Sequence, residues 1–326
     1  MIGTGHGRHS AIAGTHQGVR QTPVSVRRKF RAVPKPVALA ERIERAHALD
    51  RPIRVLSDTV VRALPAGPRT DALHGVPFGQ PAHPALVRLP IGCWTSAVLL
   101  DMAGVRGRAP VVLLAAGVAG SVPAAATGLA DWSALHQDQQ RVGLVHLAFQ
   151  GTACLLFGGS MLARSLGRHR VGKALGVLGL VTATGGGYLG GHLALRLGAG
   201  ANHADQISHL SGLGWHDLCP VTALPSGQAV RRQLGYLSLL VYRTPADTVH
   251  VLADRCSHLG GPLHQGRVTA VESTVVGGSA CIMCPWHGST FRLDSGQVVH
   301  GPATARQPSF EVRVSDDGIV QLRPRP

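Results

Sequence analysis

Four apolar segments, at about residues 85–104, 109–130, 142–164 and 173–195, follow one another with only short loops between them. Each holds about 20 residues, which at ~1.5 Å per residue spans a ~30 Å hydrocarbon core. A single buried helix of this length is ordinary in a soluble protein. Four in succession, separated by Arg-bearing loops, point to a bundle of membrane-spanning helices. Lipid also explains the charge. The chain carries 32 Lys+Arg against 17 Asp+Glu, and much of the excess lies in the first 80 residues. Beside a membrane domain, such an excess suits anionic lipid, and no nucleic-acid partner is expected.

The remaining chain divides around the bundle. Residues 1–35 read as a disordered basic arm. Ser25–Phe30 has a twin-arginine look, but no apolar stretch follows, so no export signal is expected. Residues 36–80 read as amphipathic helices. Leu39, Ile43, Ala46 and Leu49 share one face, as do Ile53, Leu56, Val60 and Leu64, with arginines elsewhere. A basic polar face suits a membrane surface, and the apolar face equally suits packing on another domain. The four-helix transmembrane domain is expected over 81–197. Its last helix carries Gly179, Ala183, Gly187 and Gly191 at i, i+4 spacing, a smooth stripe for close helix approach. Residues 198–213 read as a linker. From 214 to 326 the pattern changes to short alternating runs between turns, including Tyr236–Tyr242, Thr248–Ala253, Arg267–Val271, Thr290–Leu293, Gln297–Val299, Phe310–Val314 and Ile319–Leu322. The expected fold class is therefore multidomain: an α-helical transmembrane four-helix bundle plus a C-terminal all-β domain.

Chemistry concentrates in that β domain. Cys256-Ser257-His258-Leu259-Gly260-Gly261-Pro262 and Cys284-Pro285-Trp286-His287-Gly288-Ser289 each offer one thiolate and one imidazole. A zinc finger groups Cys with Cys and His with His. A Rieske centre places two thiolates on one iron and two imidazoles on the other. Two facing loops of this composition do that with Cys256 and Cys284 on one iron, and His258 and His287 on the other. The glycines let backbone N–H groups approach the cluster. A zinc site or an empty loop are the alternatives. Cys93 and Cys154 lie in apolar stretches and read as packed thiols. Cys281 reads the same way rather than as a ligand.

Over about 214–324 the chain resembles the Rieske family, including the Gly296 and Gly301-Pro302-Ala303 that follow its second loop. It departs in spacing: residues 259–283 between His258 and Cys284 are more than that family usually has. The extra length, about Val268–Met283, is expected to be an elongated hairpin. High-potential members clamp their loops with a disulfide and use a Tyr hydroxyl near the second loop. Here the corresponding positions are Gly261 and Trp286, and Phe291 lacks the hydroxyl, while Ser289 is kept. The resemblance therefore implies a lower-potential, ferredoxin-like [2Fe-2S] domain.

The membrane segment resembles a bacterial four-helix family of unassigned function, the DUF2231 type. The resemblance rests on His83-Pro84, Gly128-Leu129-Ala130-Asp131-Trp132, His146 and Gly190-Gly191-His192. It implies no activity. Antiparallel spans place His83, Asp131, His146 and His192 at one face, together with the linker and the Rieske domain. Ionisable groups at membrane depth are often functional, although helix ends offer inexpensive interfacial bonds. Facing imidazoles at His146 and His192, with His83 nearby, would suit a haem b or a quinone.

The expected function is membrane-anchored one-electron transfer, with membrane lipid and donor and acceptor redox proteins as partners. The chain then acts as an electron-transfer protein or oxidoreductase component rather than a complete enzyme. A redox-sensing membrane protein, or the Rieske component of an oxygenase system, are the alternatives. A complete oxygenase needs a second iron on two His and a carboxylate. His300 alone follows His287. The expected location is multi-pass, in a bacterial plasma membrane, with the Rieske domain in the cytoplasm. Arg106, Arg108, Arg164, Arg168, Arg170 and Lys173 on the opposite loops argue the other way under the positive-inside rule.

Overall fold

The computed structural model describes residues 34–105, 107–210, 214–271 and 279–325. The basic arm up to residue 33, Arg106 and the tip of the expected hairpin lie outside the described residues. Among the described residues three helices come first: α1 (Lys35–Glu44), α2 (Asp50–Ala63) and α3 (Pro68–His74). Short α4 (Ala82–Leu86) leads into α5 (Arg88–Met102), followed by α6 (Ala109–Ser133), α7 (Gln137–Ser165) and α8 (His169–Gly191). Among the described residues four helical stretches, Ala82–Met102, Ala109–Ser133, Gln137–Ser165 and His169–Arg196, are long and apolar enough to cross a membrane. Only 22–28% of each apolar window is buried inside the protein. The outer surface therefore stays apolar, with Leu155, Val122 and Val181 among its exposed side chains, as lipid contact requires.

Glycines bring α7 and α8 together on a stripe that shares Gly179 and Ala183 with the expected one and then departs from it. A Cβ at Gly179 would lie 2.9 Å from Phe157, at Gly186 2.6 Å from Gln150, and at Gly190 3.2 Å from His146. Gly187 and Gly191 face open space. A strict i, i+4 row advances about 40° too far at each step of a 3.6-residue helix, so it drifts off the contact face. Alternating steps of three and four hold that face.

Polar groups pin the two ends of the bundle. At one end Arg164 of α7 pairs with Asp101 of α5, both buried, and Lys173 Nζ donates to the Asp101 carbonyl at 3.0 Å. At the other end buried Arg141 of α7 donates to Asp50 Oδ1 and to the Glu44 carbonyl, each at 2.7 Å. The apolar faces of α1 and α2 pack on the bundle, burying Ala40, Ile53 and Val60.

Within the stretch expected as a linker, α9 (Asp205–Leu210) forms. Ala204 is buried, and Ile207 packs on the β-domain core. Among the described residues the β domain has ten strands: β1 (His216–Pro220), β2 (Ala229–Leu234), β3 (Leu237–Arg243), β4 (Val249–Ala253), β5 (Arg267–Val271), β6 (Ser279–Met283), β7 (Thr290–Arg292), β8 (Val298–His300), β9 (Phe310–Val314) and β10 (Ile319–Pro324). All their ladders are antiparallel, in sheets ordered β1-β10-β9, β2-β3-β4 and β5-β6-β7-β8. The β5–β6 pairing, Arg267 to Met283, is the expected hairpin. One core, built on Leu240, Leu252, Leu263, Ile282, Phe291 and Leu293, backs the two Cys/His loops.

Candidate iron–sulfur site

The two loops are built alike. Loop one, Cys256–Gly261, is closed by an antiparallel bridge between Arg255 and Pro262. Loop two, Cys284–Ser289, is closed by the last β6–β7 pair, Met283 with Thr290. In loop one Cys256 N donates to Gly261 O at 2.9 Å, and Gly260 N to Cys256 O at 2.8 Å. In loop two Cys284 N donates to Ser289 O at 2.8 Å, and Gly288 N to Cys284 O at 3.1 Å. Gly260 and Gly288 occupy the same left-handed position, at φ 77° and 78°, which a side chain disfavours.

These twin loops bring the four expected ligands together. The Cys256 thiol donates a hydrogen bond to Cys284 across the loops, and the imidazoles of His258 and His287 lie 5.1 Å apart, nearly perpendicular. Backbone N–H groups of His258 and Leu259 point at the Cys256 sulfur, and those of Trp286 and His287 at Cys284. That shared hydrogen bond pushes the Cys256 thiol up, with burial adding to it, and brings Cys284 down to about 7. Burial holds His258 at about 3 and His287 at about 4, so both imidazoles are neutral, the form a metal binds.

The residues fit a [2Fe-2S] cluster. Among the described residues His258 Nδ1 is buried without a hydrogen-bond partner, an atom that a metal would satisfy. A Cβ on Gly261 would come within 2.9 Å of Cys284 Sγ, so glycine leaves that sulfur its space. Among the described residues no three His, Cys, Asp or Glu converge as a single metal ion requires. A [2Fe-2S] cluster takes two protein ligands on each iron.

Supporting residues come from far along the chain. Fully buried Gln307 accepts from Ser257 N at 2.9 Å and donates to Ala253 O and Arg255 O at 2.8 and 2.7 Å. Ser289 Oγ accepts from Ala303 N at 3.0 Å. From the membrane domain His136, the N-cap of α7, sets its ring 5.5 Å from His287 and 5.3 Å from Trp286. Neither Gln307 nor His136 is evident from the Cys/His motif. The one sequence signal was His136-x-x-Gln139, which forms a capping box.

The membrane histidines take other partners. His83 Nδ1 donates to Ala124 O at 2.8 Å and His146 Nδ1 to Gly186 O at 2.7 Å. His192 Nε2 donates to Glu44 of α1 at 2.7 Å. These bonds tie helix to helix, and the haem b and quinone expectations find no support in them. Cys281 is buried in β6, where burial raises its thiol.

A small antiparallel domain with Cys/His loops at adjoining hairpins defines the Rieske class of iron–sulfur domain. Residues 214–311 match the family described as Rieske [2Fe-2S] domain, and residues 79–203 match Predicted membrane protein (DUF2231). The chain thus joins a Rieske domain to a DUF2231 domain. It is 26% identical over 103 residues to apoptosis-inducing factor 3 of Mus musculus, covering 32% of this chain and only 15% of that protein. It is 29% identical over 107 residues to ferredoxin CarAc of Metapseudomonas resinovorans, covering 32% of this chain and 90% of that ferredoxin. Among solved structures, the complex of reduced oxygenase and oxidized ferredoxin in carbazole 1,9a-dioxygenase aligns at 26% identity, TM-score 0.28, over 34% of this chain and 94% of that one.

Proposed function

We propose that this chain is a multi-pass plasma-membrane protein of a bacterium that passes single electrons through a Rieske [2Fe-2S] cluster. Cys256 and Cys284 hold one iron, and His258 and His287 hold the other. The carrying observation is the pair of matched loops, which present two buried sulfurs and two neutral imidazoles to one another. A cluster held there takes up and releases one electron at a time. The protein's part is to fix the ligands, direct N–H groups at the sulfurs, and keep the thiols buried.

The cluster is of the low-potential kind. Phe291, fully buried in β7, brings no hydroxyl to the site, and Gly261 and Trp286 replace the clamping cysteines. Fewer hydrogen bonds to sulfur stabilise the reduced form less. Its donor and acceptor are redox proteins, in keeping with the near full-length match to a ferredoxin. The Rieske domain lies on the cytoplasmic side. Arg164, which flanks the opposite loops, is paired with Asp101, which weakens the positive-inside argument for the reverse orientation.

The test is a redox titration of membranes from expressing cells, washed with alkaline carbonate. The expected result is a Rieske-type EPR signal that stays in the pellet and follows a one-electron Nernst curve. A signal released by carbonate, or one that cannot be cycled, overturns the proposal. Impermeant thiol labelling of a cysteine placed at residue 202 reads the orientation in intact cells, and labelling there overturns the cytoplasmic assignment.

A further inference from the structure

The Rieske domain meets the membrane domain through the edge that carries its two ligand histidines. His136, on the turn between α6 and α7, lies against His287 and Trp286. A cavity of about 180 Å³ separates Ser257 and His258 on one wall from His74, Asp131 and Leu135 on the other. His203 N, at the end of the membrane domain, donates to Ser257 O at 2.9 Å.

Asp71 of α3 makes two side-chain hydrogen bonds across this boundary. It is 9% exposed, and its carboxylate accepts from His300 Nδ1 and from Gly301 N, each at 2.8 Å. Beside it His74 donates to Asp131 at 2.8 Å and packs on Gly301, where a Cβ would come within 3.1 Å of the His74 ring. A buried carboxylate is costly unless its hydrogen bonds are made, and among the described residues both of these come from the other domain. When the domains part, water takes over those bonds. The contact is therefore reversible, and its loss shifts the docked-to-free ratio by about tenfold or more.

We infer that the histidine edge is an interaction surface for which the membrane domain and a soluble one-electron redox protein compete, and that Asp71 decides the competition. The inference rests on the electron-transfer function above. Electrons pass between proteins only when the cofactor edge comes close to its partner. In the docked arrangement α3 and His136 occupy that approach. A protein partner must displace them, whereas a small reagent need not.

The experiment uses the purified full-length protein in detergent, with Asp71→Ala, Asp71→Asn and His300→Ala. Each reduced sample is mixed in a stopped-flow instrument with oxidised cytochrome c, and separately with ferricyanide. Hydrogen exchange is followed over residues 298–303. Asp71→Ala is expected to speed the cytochrome c reaction about tenfold and to leave the ferricyanide rate unchanged. Asp71→Asn, whose amide oxygen still accepts from Gly301 N–H, falls between, as does His300→Ala. Exchange at residues 298–303 rises in the same order. Unchanged cytochrome c rates overturn the inference. So does equal acceleration of both reagents, which places the effect on the cluster itself, or unchanged hydrogen exchange. Iron and EPR content are read on the same samples. A wild-type protein without the cluster defeats the electron-transfer function, while hydrogen exchange still reports on the latch.

Discussion

Replacing Gln307 with Leu removes three hydrogen bonds, one to loop one and two to the chain leading into it, and opens no large cavity. Gln307 is 0% exposed and binds Ser257 N, Ala253 O and Arg255 O. The Ser257 amide lies between Cys256 and His258, so its anchor sets both ligands. Each buried backbone group left unsatisfied costs about 1–3 kcal/mol, and water reaches the exposed Arg255 end, which lowers the total to roughly 3–5 kcal/mol. That is a large part of the ~5–15 kcal/mol of an ordinary domain. At ~4–8 °C per kcal/mol for a domain of this size, the melting midpoint falls by about 12 °C or more. Purified full-length protein is heated in detergent at a fixed rate while cluster absorbance and far-UV circular dichroism are recorded together. The cluster of Gln307→Leu should bleach early, well before helix signal is lost. A bleaching midpoint within about 3 °C of wild type would refute the role given to Gln307.

Gly261→Val places carbon where a Cβ already comes within 2.9 Å of Cys284 Sγ and 3.1 Å of Trp286, so iron per chain should fall sharply by elemental analysis, with helix content unchanged. Asp50→Ala removes the carboxylate paired with Arg141, leaving its guanidinium the Glu44 carbonyl, and should bring an earlier loss of helix signal on heating in detergent. The Arg292 guanidinium holds Asp294 at about 2, below its ordinary 3.8. A depressed folded pKa gives stability that is full above 3.8 and lost as pH falls toward 2, so Arg292→Ala should narrow the difference in melting midpoint between about pH 5 and about pH 2.5.

The cluster motif was legible because it is local. Each loop holds its own Cys, His and left-handed glycine within six residues, and its hydrogen bonds close on themselves. The spans were equally legible, since apolar length is a property of consecutive residues. What escaped depends on distant partners. Gln307 acts on Ser257, Asp71 on His300 and Gly301, and His136 on His287, pairs that only the folded chain brings together. β1 and β2 left little pattern because both are edge strands, and Ala229–Leu234 carries two arginines and a glutamine. The histidine face of the bundle was visible in sequence. Its partners, two helix carbonyls and Glu44, were not, because helix rotation decides them.

The most direct test of the account is the cluster itself. Iron and acid-labile sulfide are counted on detergent-purified protein, and the reduced sample is examined by pulsed EPR for nitrogen coupled to the unpaired electron. The account predicts two irons and two sulfides per chain with two coupled histidine nitrogens, lost in Cys256→Ser and reduced or lost in His287→Ala. Stoichiometric zinc without iron, or a cluster with no nitrogen coupling, would contradict it.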